Sequence, residues 1–166
     1  MFDWIRRLAA ISSLALVAAC GGGDGETRNV VEKAQADSRF SILVEAVTAA
    51  DLGGTLSGAG PFTVFAPTND AFAALLNELG VTKEQLLANR ALLTQVLTYH
   101  VVAGRVSRAE VPVGRPITTV QGQTFTVDAN LVITDQRGRT ARIVEADVPA
   151  SNGVIHAIDR VILPSP

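Results

Sequence analysis

The chain has 166 residues, of which 48% are apolar and 18% charged, a composition that suits a packed globular domain and excludes an intrinsically disordered one. With 14 basic against 16 acidic residues, it carries a net charge of −2, which offers no electrostatic footprint for nucleic acid. A single cysteine, Cys20, excludes an intrachain disulfide, so the fold must stand on its core.

The N-terminus reads as an export signal. Arg6 and Arg7 precede the uncharged, largely apolar residues 8–17, and the small pair Ala18-Ala19 follows. The stretch is well short of the ~20 residues that a membrane-spanning helix needs, so it is expected to be removed as a signal peptide, residues 1–19. Val17-Ala18-Ala19-Cys20 resembles the bacterial lipoprotein signal, which implies that Cys20 becomes the first mature residue and carries lipid. The alternative is an ordinary cleaved signal followed by a spare thiol. Several acyl chains on one residue make a lasting anchor where one chain makes a marginal one. Residue 21 is glycine and not aspartate, which under the usual double-membrane sorting pattern sends a lipoprotein to the bacterial outer membrane, facing periplasm or cell surface. Residues 20–28 open with GGGDGE after the cysteine and read as a flexible tether. Without residues 1–19 the chain keeps 147 residues and a net charge of −3, enough for one domain, placed at 29–164.

Within that domain, residues 29–56 have helical apolar spacing at Val30, Val31, Ala34, Phe40, Leu43, Val44 and Val47, with a break at Asp37-Ser38. A glycine-rich turn leads to a β-rich run over 62–66, ended by Pro67. Thr68, Asn69 and Asp70 supply acceptors ahead of a helix that stops at Gly80. Thr82 with Gln85 predicts a capping box, and Asn89 a further cap for a helix through Leu92, Leu93, Val96 and Leu97. Beyond Tyr99 come short β-branched runs at 117–120, 125–127, 131–134, 141–144 and 154–163. Helices first and strands later, without regular alternation, predict an α+β fold.

Three segments, GPFTVFAPTNDAF at 60–72, LTQVLTYHVV at 93–102 and NGVIHAID at 152–159 leading to ILP at 162–164, together resemble the fasciclin domain family in order and spacing. The resemblance implies a wedge of two packed β-sheets with N-terminal helices against one side. It also implies a non-catalytic role in adhesion or in association with a cell-surface or matrix protein. The tyrosine-histidine segment is tied to partner binding in animal members, which makes Tyr99, His100, Val101 and Val102 the candidate contact residues.

The same residues have structural readings. Asn69 and Asp70 fit helix-start residues that satisfy otherwise orphan amides. His100 fits a buried, hydrogen-bonded histidine joining helix to strand, His156 a structural side chain of a sheet, and Asn152-Gly153 a register-setting turn. Arg137, Arg139 and Arg142 surround Gly138 and read as a charged edge that discourages strand pairing, or as a basic patch for acidic polysaccharide or lipid headgroups.

No nucleophile elbow G-x-S-x-G surrounds any serine. The calcium-loop start at Asp128 and Asn130 has Ile133 and Arg139 where the turn glycine and bidentate glutamate belong. Gly58 and Gly60 are followed by Thr63 in place of the third glycine of a dinucleotide fingerprint. No enzyme, cofactor or metal is therefore expected. The chain reads as a tethered binding module, with a self-associating structural component of the cell envelope as the alternative.

Overall fold

The computed structural model describes residues 27–166. The expected signal peptide, Cys20 and most of the expected tether lie outside the described residues. The expected helical first third consists of α1 (Val30–Gln35), a 3-10 turn (Ser38–Phe40), α2 (Ser41–Ala49) and α3 (Gly53–Leu56). Helix α1 opens on a capping box in which the Asn29 side chain accepts from the Glu32 amide and the Glu32 carboxylate accepts from the Asn29 amide. Strand β1 (Phe62–Pro67) is followed by α4 (Asn69–Leu79), α5 (Lys83–Ala88) and α6 (Arg90–Tyr99). The caps fall where the sequence puts them: Thr68 on α4, the Thr82/Gln85 box on α5 and Asn89 on α6. Gly80 ends α4 with φ 65°, a left-handed conformation that glycine adopts without a Cβ penalty.

Six strands follow: β2 (Val101–Ala103), β3 (Pro116–Thr118), β4 (Thr124–Val127), β5 (Val132–Thr134), β6 (Thr140–Ala150) and β7 (Gly153–Ile158). β6 runs well past its expected end at 144. β7 stops short of 163, and the chain beyond it continues as an irregular strap.

All seven strands form one sheet in the order β2-β1-β7-β6-β5-β4-β3. The two expected sheets are its two halves, joined through the long β6. That strand pairs with β5 over Thr140, Ala141 and Arg142, and with β7 from Ile143 onward, through two register shifts. Such bulges increase local twist and bend the strand that carries them, which folds one half of the sheet over the other. At the far edge the Val120 amide donates to the Val101 carbonyl at 2.8 Å, so the end of the β3–β4 hairpin returns to β2 and the sheet closes nearly into a barrel.

β1 and β7 are parallel neighbours, with Phe65 opposite His156. Both are covered on both faces, which is why they read as continuous apolar runs instead of alternating ones. Val64, Ala66, Ile155 and Ala157 face the helices and join Leu43, Phe72, Leu75, Leu93 and Leu97 in one core. Phe65 and Ile158 face the other way, into a second core with Tyr99, Phe125, Val127, Ile133 and Ile143. Phe65 meets Phe125 edge to face at 5.0 Å between ring centres. Among the described residues, no helix is long and apolar enough to cross a membrane.

Candidate functional site

The segment Tyr99-His100-Val101-Val102 lies where α6 ends and β2 begins, at the closure of the barrel. Helix α6 turns Leu93, Val96 and Leu97 toward the helical core, and its last residue, Tyr99, is delivered into the barrel core. Val101 and Val102 then alternate between the two cores. Tyr99 is 0% exposed, His100 1%, Val101 4% and Val102 6%, so none of the four presents its side chain at the surface. The sequence signal for this is the unbroken apolar pair Val101-Val102, which marks a strand buried on both faces.

The polar atoms of this segment are occupied by backbone groups. The Tyr99 hydroxyl donates to the Thr124 carbonyl at 2.8 Å and accepts from the Gln136 amide at 3.3 Å. Burial pushes its pKa up to about 12, so the phenol stays neutral. His100 Nδ1 lies 2.6 Å from the Val96 carbonyl, and the Ile162 amide donates to His100 Nε2 at 3.2 Å. These partners fix the neutral tautomer with its proton on Nδ1. Burial pulls His100 down to about 4, against a smaller upward pull from the Val96 carbonyl and the Asp135 charge.

Asp135, which sequence reasoning missed, belongs to the same assembly. Its carboxylate is buried and accepts from the amides of Arg137, Arg139 and Leu163, each at 2.9 Å. An aspartate three residues ahead of Gly138 is a turn signal, and it accounts for two of those bonds. The third reaches a residue 28 positions away, for which no local pattern gives warning.

A second assembly gathers around Asn152, in the turn between β6 and β7. Its amide donates to the carbonyls of Leu56 and Gly58, both at 2.8 Å, and its Oδ1 accepts from the Val30 amide at 2.9 Å. The expected register-setting turn is there, and the asparagine also ties α1, α3 and the turn after it to the sheet. Gly153 is required by a close approach, since a Cβ there would meet the Phe62 carbonyl oxygen at 1.9 Å. Gly60 has φ +62°, and a Cβ on it would meet the Asn152 carbonyl at 2.3 Å.

Asn69 does something different from capping its own helix, a role that falls to Thr68. Its side chain reaches across to α2, accepting from the Ile42 amide at 3.0 Å and donating to the Ser38 carbonyl at 2.9 Å. It thus satisfies an orphan amide at the start of a neighbouring helix. Asp70 is exposed in the first turn of α4, where its charge complements the helix dipole. His156, fully buried, lies 2.8 Å through Nε2 from the Val106 carbonyl and accepts from the Asp147 amide at 3.1 Å through Nδ1. It fastens the loop after β2 to the bulge of β6.

The three arginines around Gly138 have separate commitments. Arg139 pairs with Glu78 at 2.6 Å with its side chain only 12% exposed, Arg137 donates to the Pro164 carbonyl, and Arg142 is exposed on β6. Among the described residues, no three histidine, cysteine, aspartate or glutamate side chains come together as a metal site.

Comparison with known proteins fits this architecture. A profile of the fasciclin domain matches residues 38–164. The chain belongs to the fasciclin domain family. Its fasciclin domain is 49% identical over 138 residues to Protein sll1483 of Synechocystis sp., covering 81% of this chain and 73% of that one. It is also 38% identical over 136 residues to the transforming growth factor-beta-induced protein ig-h3 of Sus scrofa, covering 81% of this chain but only 19% of the relative. A solved FAS1 domain pair from the insect cell adhesion molecule fasciclin I superposes with a TM-score of 0.74 at 16% identity. That match takes in 83% of this chain and 51% of the pair, so the fasciclin domain here spans about half of that structure. Fasciclin domains are cell-adhesion and extracellular protein-interaction modules.

Proposed function

We propose that this protein is an exported, non-catalytic binding module, held at the cell envelope by lipid on Cys20, whose domain associates with a cell-surface or matrix protein. The observation that carries the non-catalytic reading is where the reactive side chains point. His100, His156, Tyr99 and Asp135 are all buried and all bonded to backbone groups that hold the fold. A general base needs a reachable proton to take, and these groups have none to reach. The family's adhesion role and the lipoprotein-like sequence around Cys20 support the rest.

With Tyr99, His100, Val101 and Val102 inside, a partner meeting this seam touches their exposed neighbours. Ala103, the exposed last residue of β2, and Val120 beside that strand lie on the surface, and Val120 is 48% exposed beside its bond to Val101. Val120→Asp is expected to weaken adhesion while leaving the melting temperature within a few degrees of the parent. A variant that adheres as the parent does would place the contact elsewhere on the domain.

Three measurements separate the parts of this reading. Cys20→Ser should shift the protein from the membrane to the soluble fraction; retention on membranes removes the lipid anchor. Surface labelling of whole cells reports which side of the outer membrane the domain faces. A pull-down from intact envelopes should return one specific partner, whereas recovery of only further copies of the chain favours the self-associating envelope component.

A further inference from the structure

Residues 161–166 form no helix or strand, yet Val161, Ile162 and Leu163 are buried. No sheet ladder holds this strap. Its amides are received by side chains: Ile162 by His100 Nε2 at 3.2 Å, Leu163 by Asp135 Oδ2 at 2.9 Å and Ser165 by Gln123 Oε1 at 2.6 Å. Arg137 Nε donates in turn to the Pro164 carbonyl at 2.9 Å. Leu163 and Pro164 also line one side of an apolar groove of 90 Å³ whose other walls are Phe72, Leu75, Leu86, Leu93 and Val96.

We propose that the strap over residues 161–166 is an acid-released latch pinned by His100. The imidazole can accept the Ile162 amide only while Nε2 is unprotonated, because Nδ1 already donates to Val96. A proton on Nε2 sets two N–H donors against each other in a buried site, and the buried amide left without an acceptor favours the open strap. Opening removes one wall of the leucine-lined groove between α4 and α6 and widens the apolar surface that an acid-exposed domain presents.

The charged surroundings of His100 are few. Asp135, from the turn after β5, favours the protonated ring through its charge. Tyr99, next to it on α6, stays neutral. Toward α1, α2 and β1 the ring borders a cavity lined by Val30, Ala34, Leu43, Val47 and Val64, which carry no titratable group. Burial holds the His100 ring neutral while the strap is closed.

The test is amide hydrogen exchange on the full chain at pH 7 and pH 4, corrected for intrinsic exchange. Protection over 162–165 should fall about 100-fold across that interval, as expected for a histidine that protonates far more readily in the open state, and should lie below that of β1 and β7 at both pH values, because the strap opens without the sheet. His100→Gln, whose side-chain oxygen can accept from Ile162 but does not titrate, should hold the strap equally at both pH values. Unchanged strap protection at pH 4, strap protection equal to that of β1 and β7 at both pH values, or the same loss in the glutamine variant would each overturn the latch. If that variant fails to fold, NMR titration of the His100 ring in the parent decides: its midpoint must coincide with strap release, and a mismatch rejects the proposal.

Discussion

The Asn152 corner and the His100 seam solve one problem with different chemistry. In each, a buried polar side chain collects backbone groups that no helix or strand satisfies. At the corner the collector is an amide with two donors and an acceptor, all engaged, and the surrounding backbone approaches so closely that only glycine fits at 60 and 153. At the seam the collectors are a histidine and an aspartate, and the chain they hold is a strap outside the sheet. The corner depends on shape and is indifferent to acid. The seam depends on protonation state.

Four experiments sharpen or break this contrast, from the largest expected effect to the smallest. Gly153→Ala should cost more than about 4 kcal/mol or abolish folding, because the added methyl collides with the Phe62 carbonyl where β1 and β7 pair. A urea midpoint close to the parent's would show that the strands can separate without harm. Asn152→Ala leaves the Val30 amide and two carbonyls without their partner and should cost about 3–4 kcal/mol by the same measurement, equally at pH 7 and pH 5.

Acid should act on the seam and leave the corner untouched. His100 sits at about 4 in the fold against an ordinary 6.5, so the unfolded chain binds the proton first. Its contribution is full above about pH 6.5 and is lost as pH falls toward 4, by up to ~3 kcal/mol. Denaturation followed from pH 8 to pH 4 should show that loss in the parent and lack it in His100→Gln; matching profiles would assign the acid sensitivity to another group. Asn69→Ala removes one inter-helix bridge near the surface and should cost only about 1 kcal/mol. A cost as large as that of Asn152→Ala would erase the distinction between a corner that organises the fold and a local tie.

What could be read in advance follows the same division. The caps at Thr68, Thr82 and Asn89 and the stop at Gly80 were legible because each is settled within four residues. The α+β order and the β-branched runs were legible from periodicity. Asn69 was read as serving its own helix, the nearest one, whereas its side chain serves α2, 27 residues earlier in the chain. Asn152 looked like a turn residue because that is what Asn-Gly does locally, and its bonds to Leu56, Gly58 and Val30 depend on the parallel pairing of β1 with β7. Asp135 went unnoticed for the same reason. The Tyr99-His100 pair became the contact candidate through the family resemblance, which does not distinguish a surface anchor from a core hydrogen-bonding residue. The structure makes that distinction through burial.

The chain enters the domain at a clamped point. The Ser151 amide donates to the Arg28 carbonyl at 2.8 Å, and the Val30 amide donates to Asn152 at 2.9 Å. A domain pulled away from a surface to which its N-terminus is fixed would load these two bonds before any turn of α1 unwound. Tension would then pass through the β6–β7 turn into the interior of the sheet, making the point where the chain enters the domain a mechanical coupling to strands paired on both sides.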